Sequence, residues 1–285
     1  MRPLATVARI DLHTHTIYSD GTFTPRELVR AALGRGVTAL GVTDHDSTEG
    51  LPEAFAAAEG TGMEIVPGVE FSTVRDGQGV HVLAYWMDLE HRGFQAELRR
   101  LREDRFTRGE RMVARLQELG YPVTFDQVRD IAKGGNIVRP HLAAALVEAG
   151  VVPTIEDAFT PELIADGGRA YVEKHALDPA EALGLIKEAG GLVVIAHPGL
   201  HREGLGASDA LIEELAGRGL DGIEAAHTEH SPEAEARYRR MARRLGLVAT
   251  GSSDCHGTRY DPVRVGLVTT DPEEFESLRS RKALR

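Results

Sequence analysis

The sequence lacks the features that mark secreted and membrane-bound proteins. It has a single cysteine, Cys255, so an intramolecular disulfide is impossible and a reducing compartment is the simple inference. No apolar run approaches the roughly 18 to 20 residues needed to cross a bilayer. Residues 1–9 also lack the apolar core of a secretory signal. We therefore expect a cytoplasmic protein that has no membrane partner.

Positive charge is also scarce. The chain has 33 lysines and arginines against 44 acidic residues, which gives a net charge of -11. A protein that coats nucleic acid presents a basic surface, so the composition argues against that class. Any phosphate-bearing partner must then be bound locally, by metal ions or by a few cationic side chains.

Short apolar or β-branched runs alternate with helical patterns along most of the chain. This alternation is typical of βα units and a mostly parallel sheet. The length of 285 residues allows either one large barrel or two average domains. The predicted strands cover residues 8–12, 39–43, 64–69, 80–86, 192–196, 222–225, 247–250 and 263–269. Thr24-Pro25 and Asp178-Pro179 have the cap-then-proline form of a helix start.

The alternation stops between residues 94 and 166. Helical patterns follow one another there without a convincing strand, and Leu98, Leu101 and Leu116 lie near helical spacing. One barrel with a helical insertion fits this order better than two separate domains. We predict an α/β fold in which residues 1–93 and 167–285 form the barrel and residues 94–166 form the insertion.

Histidines and carboxylates follow the predicted strands. His13 and His15 end the first strand, and because side chains alternate with period 2, both point to one face. Further residues of these types lie near later strands: Asp20, Asp44, His45, Asp46, Glu70, His81, His197, Asp254 and His256. The strand ends of a β/α barrel converge on one mouth, where like charges would repel unless cations were present. The pattern therefore predicts a metal site.

The ligand types narrow the choice of metal. Imidazoles and carboxylates without a thiolate cluster suit manganese, iron, zinc or mixtures of them better than a structural cysteine–zinc site would. We expect manganese first, with iron or zinc as alternatives. Cys255 lies between Asp254 and His256, so strand alternation turns its thiol away from the metals. We expect Cys255 to have a packing role.

Six segments, together with His81, carry a family resemblance. They are DLHTHT (11–16), SDG (19–21), VTDHD (42–46), PGVEFS (67–72), IAHP (195–198) and SDCH (253–256). In this order they resemble the motifs of the polymerase-and-histidinol-phosphatase (PHP) family of phosphoesterases. The resemblance implies a distorted seven-stranded TIM-like β/α barrel, a trinuclear metal centre and phosphoester hydrolysis by metal-activated hydroxide.

The resemblance also divides the ligands into three groups. The groups are His13, His15 and Asp254; Glu70, His81 and His197, with Glu70 bridging to the first group; and Asp20, His45 and His256. Asp44 has two possible roles, as a proton donor to the leaving oxygen or as a partner that orients a metal-bound histidine. We favour the second role.

The insertion indicates the substrate class. Segments 136–141 (NIVRPH) and 168–172 (GRAYV) resemble a subgroup that contains nucleoside 3',5'-bisphosphate phosphatases and 5'-to-3' oligoribonucleases. The implied phosphate and nucleotide contacts are Arg105, Arg108, Arg139, His141 and His230, of which His230 is also a catalytic candidate. Residues 97–115 contain seven arginines against four acidic residues. Guanidinium groups suit phosphate oxygens, although glutamate–arginine pairs on a solvated helix would explain them equally well.

The predicted activity is hydrolysis of a terminal phosphate from small nucleotides. Nucleoside 3',5'-bisphosphates come first, with AMP and short RNA as further substrates. The same metals would serve a histidinol-phosphate phosphatase, an alternative that the insertion disfavours. A nucleic-acid-binding or proofreading module of a polymerase is the third alternative, and the acidic composition disfavours it. The sequence identifies no protein partner.

Overall fold

The fold is a nearly closed barrel. The computed structural model describes residues 8–133, 135, 137–173, 176–200 and 204–283, so Asn136 of the NIVRPH segment lies outside it. Its seven-stranded sheet is hydrogen-bonded in chain order. The strands are β1 (Arg9–Asp11), β2 (Val37–Val42), β3 (Glu64–Arg75), β4 (Gln78–Tyr85), β5 (Leu192–Ile195), β6 (Gly222–His227) and β7 (Val248–Ser252). The Asp11 carboxylate bridges the two ends of the sheet, accepting from the N–H of Ser253 at 3.0 Å.

Helices lie outside the sheet, either around the barrel or in the insertion. They are α1 (Pro25–Gly34), α2 (Leu51–Ala58), α3 (Arg92–Glu118), α4 (Phe125–Ala132), α5 (Arg139–Glu148), α6 (Pro179–Glu188), α7 (Asp209–Gly217), α8 (Pro232–Leu245) and α9 (Pro272–Ala283). The predicted starts of α1 and α6 are confirmed, because Thr24 and Asp178 accept backbone N–H groups of the first turn. Within the described residues, no helix combines the length and apolar character needed to span a lipid bilayer.

One strand reverses direction. β4 pairs antiparallel with both β3 and β5, whereas the neighbouring pairs β1–β2, β2–β3, β5–β6 and β6–β7 are parallel. Asp76 and Gly77 form the two-residue connection, with φ of +54° and +76°, as two-residue hairpin turns require. The sequence pattern places His81 on the predicted strand at residues 80–86, but it did not predict the reversed direction of that strand. His81 lies near the start of β4, opposite Ser72 of β3, and this end of the hairpin meets the barrel mouth.

The predicted strand at residues 263–269 was also wrong. This segment forms turns, and only Thr270 beyond it makes an isolated bridge, with Ile10. Gly266 has a φ of +70°, which breaks an extended backbone. Its N–H donates to the Asp11 side chain at 2.7 Å instead of joining a strand ladder.

Hydrophobic contacts divide α3 between two cores. Phe94, Leu98 and Leu101 belong to a cluster with barrel strands and helices α6 to α8. Met112 and Leu116 belong to a separate cluster with α4, α5 and the segment up to Val172. The insertion thus has its own core, and the change from one core to the other occurs inside α3. The predicted boundary at residue 94 lies two residues after the start of that helix.

Gly41 allows β2 to approach β1 closely. A Cβ atom at this position would lie 2.1 Å from the carbonyl oxygen of Leu12. We expect Gly41→Ala to lower the free energy of unfolding by about 1 to 3 kcal/mol, since backbone cannot move aside as a flexible side chain can. Chemical denaturation measures the effect, with Gly34→Ala as the control because a Cβ atom there would have nothing within 4 Å. Equal stability of the two variants would contradict the close approach.

Candidate metal centre

All nine predicted ligands meet at the mouth of the barrel. Three sets bring their ligand atoms within 4.8 Å of one another: His15, Asp20, His45 and His256; His13, His15, Glu70 and Asp254; and His45, Glu70 and His81. A fourth set joins His13 and His197 to Glu224, which the sequence did not single out. The sets overlap, so the ligands form one continuous cluster.

Glu70 lies at the centre of this cluster and is 1% exposed. Its Oε2 lies 3.2 Å from Nε2 of His13 and 3.1 Å from Nε2 of His15. Its Oε1 lies 2.7 Å from Nδ1 of His81 and 3.1 Å from Nε2 of His197. Oε2 also lies 3.1 Å from Nδ1 of His45. The two oxygens of one carboxylate thus face different sets of histidines, which is the arrangement that a bridging ligand needs.

The ligand atoms of the cluster are arranged to bind divalent cations and are poorly paired with one another by hydrogen bonds. Nε2 of His13 and Nε2 of His15 lie only 3.0 Å apart. Within the described part of the chain, buried Oδ1 atoms of Asp20 and Asp254 have no hydrogen-bond partner, yet each lies 3.1 Å from a histidine Nε2. Buried polar atoms without partners are rare in folded proteins. Converging lone pairs of this kind suit metal ions.

The close packing of histidines and carboxylates also shifts the pKa values of the cluster. Burial alone lowers the pKa of the imidazoles, but Glu70 raises that of His13 well above its usual range and Asp254 raises that of His15 to about 10. Burial likewise raises the pKa of the Glu70 carboxyl, but His45 and His13 hold it well below the usual range. The cluster therefore stabilises cations, whether protons or metals, among its carboxylates.

Local backbone strain marks the strand ends that carry these groups. Three non-glycine residues have positive φ there: Asp46 at +51°, His197 at +23° and Asp254 at +48°. This region costs about 1 to 3 kcal/mol for a residue with a side chain. Such strain persists where surrounding contacts hold it, and it commonly marks functional sites.

Asp44 organises the loop after β1. Its carboxylate accepts from the N–H of Thr16 at 2.7 Å and from the hydroxyl of Ser19 at 2.6 Å. The Ser19 hydroxyl in turn lies 3.3 Å from Nδ1 of His15. These contacts place Asp44 behind His15, which favours a positioning role over proton donation. Burial raises the pKa of Asp44.

A cavity of about 340 Å³ opens above the cluster. Three predicted substrate contacts line it: Arg105, Arg108 and Arg139. Arg105 pairs with buried Asp46 and donates to Ser72 Oγ at 2.9 Å. The insertion thus brings guanidinium groups to the cavity that is also lined by predicted metal ligands.

Arg108 and Arg139 pack against aromatic rings of the cavity wall. The Arg108 guanidinium lies 5.2 Å from the ring centre of Tyr171, and that of Arg139 lies 5.7 Å from it and 5.6 Å from the ring centre of Phe159. Arg139 also pairs with Asp166 at 2.9 Å. Among the described residues, no carboxylate forms an ion pair with Arg108 at the usual distance.

Two other predicted contacts lie elsewhere. Nδ1 of His141 accepts from the N–H of Val138 at 3.4 Å and caps α5. His230 contacts backbone through both ring nitrogens: Nε2 accepts from the N–H of Gly199 at 3.1 Å, and Nδ1 lies 2.8 Å from the carbonyl oxygen of Ala225. Neither histidine lines the cavity. Both histidines contact backbone in the structure, and their contact with substrate, like the catalytic role of His230, stays a prediction.

Sequence reasoning missed two charged residues of the site. Glu224 of β6 is fully buried beside His13, and an acidic residue inside an apolar strand was the available signal. Arg259 lines the cavity and donates to the carbonyl oxygen of Asp20 at 2.7 Å. No motif of the sequence identified Arg259. Cys255 is fully buried in an apolar cluster, which confirms its predicted packing role.

Known proteins are similar to this chain in sequence and fold. The PHP domain family matches residues 11–123. The 3',5'-nucleoside bisphosphate phosphatase of Chromobacterium violaceum is 36% identical over 251 residues, which cover 88% of each chain. The chain belongs to the PHP family. The predicted family is thereby confirmed.

Other PHP relatives differ in their named activities. The 5'-3' exoribonuclease Rnm of Salmonella typhimurium is 33% identical over 86% of this chain and 84% of its own length. The phosphoribosyl 1,2-cyclic phosphate 1,2-diphosphodiesterase of Eggerthella lenta is 32% identical over 87% and 94%. A solved structure from Bifidobacterium adolescentis, assigned as a metal-dependent phosphoesterase, superimposes with a TM-score of 0.88 at 36% identity over 98% of both chains. The chain of 285 residues is thus a phosphoesterase of the PHP family. Its predicted distorted barrel is confirmed.

Proposed function

We propose that this PHP enzyme removes a terminal phosphate from small nucleotides. Nucleoside 3',5'-bisphosphates are the first substrate class, with AMP and short oligoribonucleotides as further substrates. The observation that carries the proposal is the cavity in which metal ligands on the barrel face the arginines of the insertion. One side of this cavity suits the reacting phosphate, and the other suits the rest of a nucleotide.

The nine ligands would hold three divalent ions. The proposed groups are His13, His15 and Asp254; Glu70, His81 and His197; and Asp20, His45 and His256. The positions of the two Glu70 oxygens beside separate sets of histidines support its bridging role. Bound divalent ions supply an activated water and offset negative charge on phosphoryl oxygens. Manganese is the first metal proposed, with iron or zinc as alternatives, since the ligands are imidazoles and carboxylates without thiolates.

The arginines would hold the phosphate that does not react. Burial and the nearby charges of Arg139 and Arg105 lower the pKa of Arg108 to about 10. Several cations in a partly buried cavity repel one another, so an anion bound among them relieves that repulsion. Planar guanidinium groups also match the geometry of phosphate oxygens. A nucleoside bisphosphate offers the second anionic group that such a wall requires.

The aromatic rings would contact the nucleobase. Phe159 and Tyr171 are partly buried and line the cavity beside Arg139. Bases stack on aromatic faces with little dependence on their identity, and each stacked base contributes about 1 to 3 kcal/mol. The volume of about 340 Å³ lies within the usual range for small-molecule sites.

The same wall disfavours histidinol phosphate. That substrate carries a protonated amine, which would meet the guanidinium groups of Arg105, Arg108 and Arg139. Like charges at short range raise the free energy of binding. A nucleotide with two phosphates would instead be attracted, because its second phosphate is negatively charged.

Phosphate release from four substrates tests the proposal. Protein loaded with Mn²⁺ is given adenosine 3',5'-bisphosphate, AMP, a 5'-phosphorylated dinucleotide and histidinol phosphate at equal concentration. We expect the highest kcat/KM with the bisphosphate, and chelation with EDTA followed by Mn²⁺ should abolish and then restore activity. Chromatography of the products identifies which phosphate leaves.

Metal content is measured on the same samples. Full metal occupancy without phosphate release from any nucleotide would contradict the proposed substrate class. A higher kcat/KM for histidinol phosphate would favour that alternative.

A further inference from the structure

Glu224 connects two metal-binding histidines of the proposed centre. It lies on β6 and has no exposed surface. One carboxylate oxygen, Oε1, lies 3.1 Å from Nδ1 of His13. The other, Oε2, accepts from the backbone N–H of His197 at 2.7 Å. One buried side chain therefore contacts a ligand on β1 and a ligand that follows β5.

The contact with His13 selects one nitrogen of the ring. Nδ1 faces Glu224, while Nε2 faces the cluster, 3.2 Å from Glu70 Oε2 and 3.3 Å from Asp254 Oδ1. A neutral imidazole has one N–H and one lone pair. A carboxylate beside Nδ1 keeps the proton there and leaves the Nε2 lone pair directed at the cluster.

The contact with His197 holds a strained backbone. His197 has a φ of +23°, outside the conformations that residues with side chains usually adopt. Its N–H points at Glu224, and its Nε2 lies 3.1 Å from Glu70. A short hydrogen bond to a charged acceptor stabilises this conformation and fixes the direction of the ring.

We propose that Glu224 is a positioning residue for the metal centre. It holds Nδ1 of His13 away from the cluster and fixes the backbone of His197, so that Nε2 of each ring is the nitrogen directed at the metal. The inference rests on the metal centre of the proposed function and does not depend on the substrate. Direct metal ligation by Glu224 is the competing role, because its ligand atoms lie within 4.8 Å of those of His13 and His197.

Glu224→Gln tests the positioning role. An amide has only one oxygen, so it cannot accept hydrogen bonds from both His13 and His197. If its oxygen faces the His197 N–H, its NH₂ group faces Nδ1 of His13 and moves the imidazole proton to Nε2. If the amide is flipped, the NH₂ group opposes the buried N–H of His197. In either orientation one ligand loses its metal-binding arrangement.

The experiment titrates metal-free protein with Mn²⁺ by calorimetry, without nucleotide. We expect Glu224→Gln to bind the ion of the His13 group about 10- to 100-fold more weakly, as the loss of an outer partner of a ligand does. Asp221→Asn is the matched control. Its buried carboxylate accepts the N–H of Val193 at 2.8 Å at the opposite end of β6, so metal affinity should stay unchanged.

Wild-type affinity and stoichiometry in Glu224→Gln would overturn the proposal. Loss of one whole ion with the other affinities unchanged would assign Glu224 as a direct ligand instead. Because the titration contains no nucleotide, an incorrect substrate assignment would leave its result unchanged.

A second measurement uses only the wild-type protein, in case the variant does not fold. Long-range ¹H–¹⁵N spectra of the Zn²⁺-loaded protein report which ring nitrogen of His13 carries the proton. We expect a protonated Nδ1 and a metal-bound Nε2. A metal-bound Nδ1 would overturn the proposal without any substitution.

Discussion

Glu70→Gln is expected to lower metal content and kcat/KM together, with kcat/KM falling by more than about 100-fold. Glu70 faces ring nitrogens of histidines from several strands and is almost fully buried. The amide removes the charge that offsets bound cations and directs an NH₂ group at ring nitrogens. Loss of a partner that contacts only a ligand costs about 10- to 100-fold, and loss of a bridging ligand should cost more. Elemental analysis and initial rates measure both quantities.

Glu64→Gln is the matched control for this prediction. Glu64 begins the same strand, β3, but its side chain is 40% exposed and pairs with Arg279 far from the cluster. An exposed ion pair of this kind contributes little to stability. The activity and metal content of Glu64→Gln should therefore stay within about twofold of wild type, roughly the scatter of such assays. Full activity of Glu70→Gln with normal metal stoichiometry would remove Glu70 from the bridging role.

Arg108→Met should raise KM for a nucleoside 3',5'-bisphosphate by about 100-fold and leave kcat within a few-fold. A hydrogen bond to a charged group is worth about 1.5 to 3 kcal/mol, and each 1.4 kcal/mol corresponds to about a tenfold change in affinity. Methionine keeps much of the length of the side chain but removes the charge. The effect falls on KM because the contacted phosphate is remote from the reacting one. Steady-state kinetics at full metal occupancy measure it.

Arg111→Met supplies the comparison, since Arg111 lies one turn further along α3 and is exposed. We expect its KM to match wild type. Equal KM values for the two variants would show that Arg108 does not contact the substrate. A loss of metal in Arg108→Met would instead indicate an indirect effect on the centre.

Much of the fold follows from local sequence patterns. The apolar run at Leu192–Ile195 is fully buried, as its composition predicts for a central strand. The reversal at β4 was missed, although Asp76-Gly77 is a strong hairpin signal between two apolar runs. Residues 263–269 have the apolar content of a strand, but the N–H of Gly266 within them donates to the Asp11 side chain. A side chain so distant in sequence competes with strand pairing for this N–H group, and nothing in the local sequence indicates that competition.

The convergence of the nine predicted metal ligands was easier to predict than their surroundings. Histidines and carboxylates near successive strand ends have few explanations other than metal binding, and the structure brings the nine together. Glu224 was missed because it lies 211 residues from His13 in sequence, so nothing in either segment indicates their contact. His141 and His230 were ambiguous, because a histidine can accept a backbone N–H as readily as it can bind phosphate.

The continuity of α3 limits how the insertion can change. This helix of 27 residues is about 40 Å long and joins the two cores without a hinge. Adding or removing one residue between Leu101 and Met112 would rotate everything beyond it by about 100° about the helix axis. Arg108 would then leave the cavity, and the core of the insertion would turn with it. Viable length changes in a relative, or in an engineered chimera, must therefore occur in the loops after α3 or preserve the rotational phase of the helix.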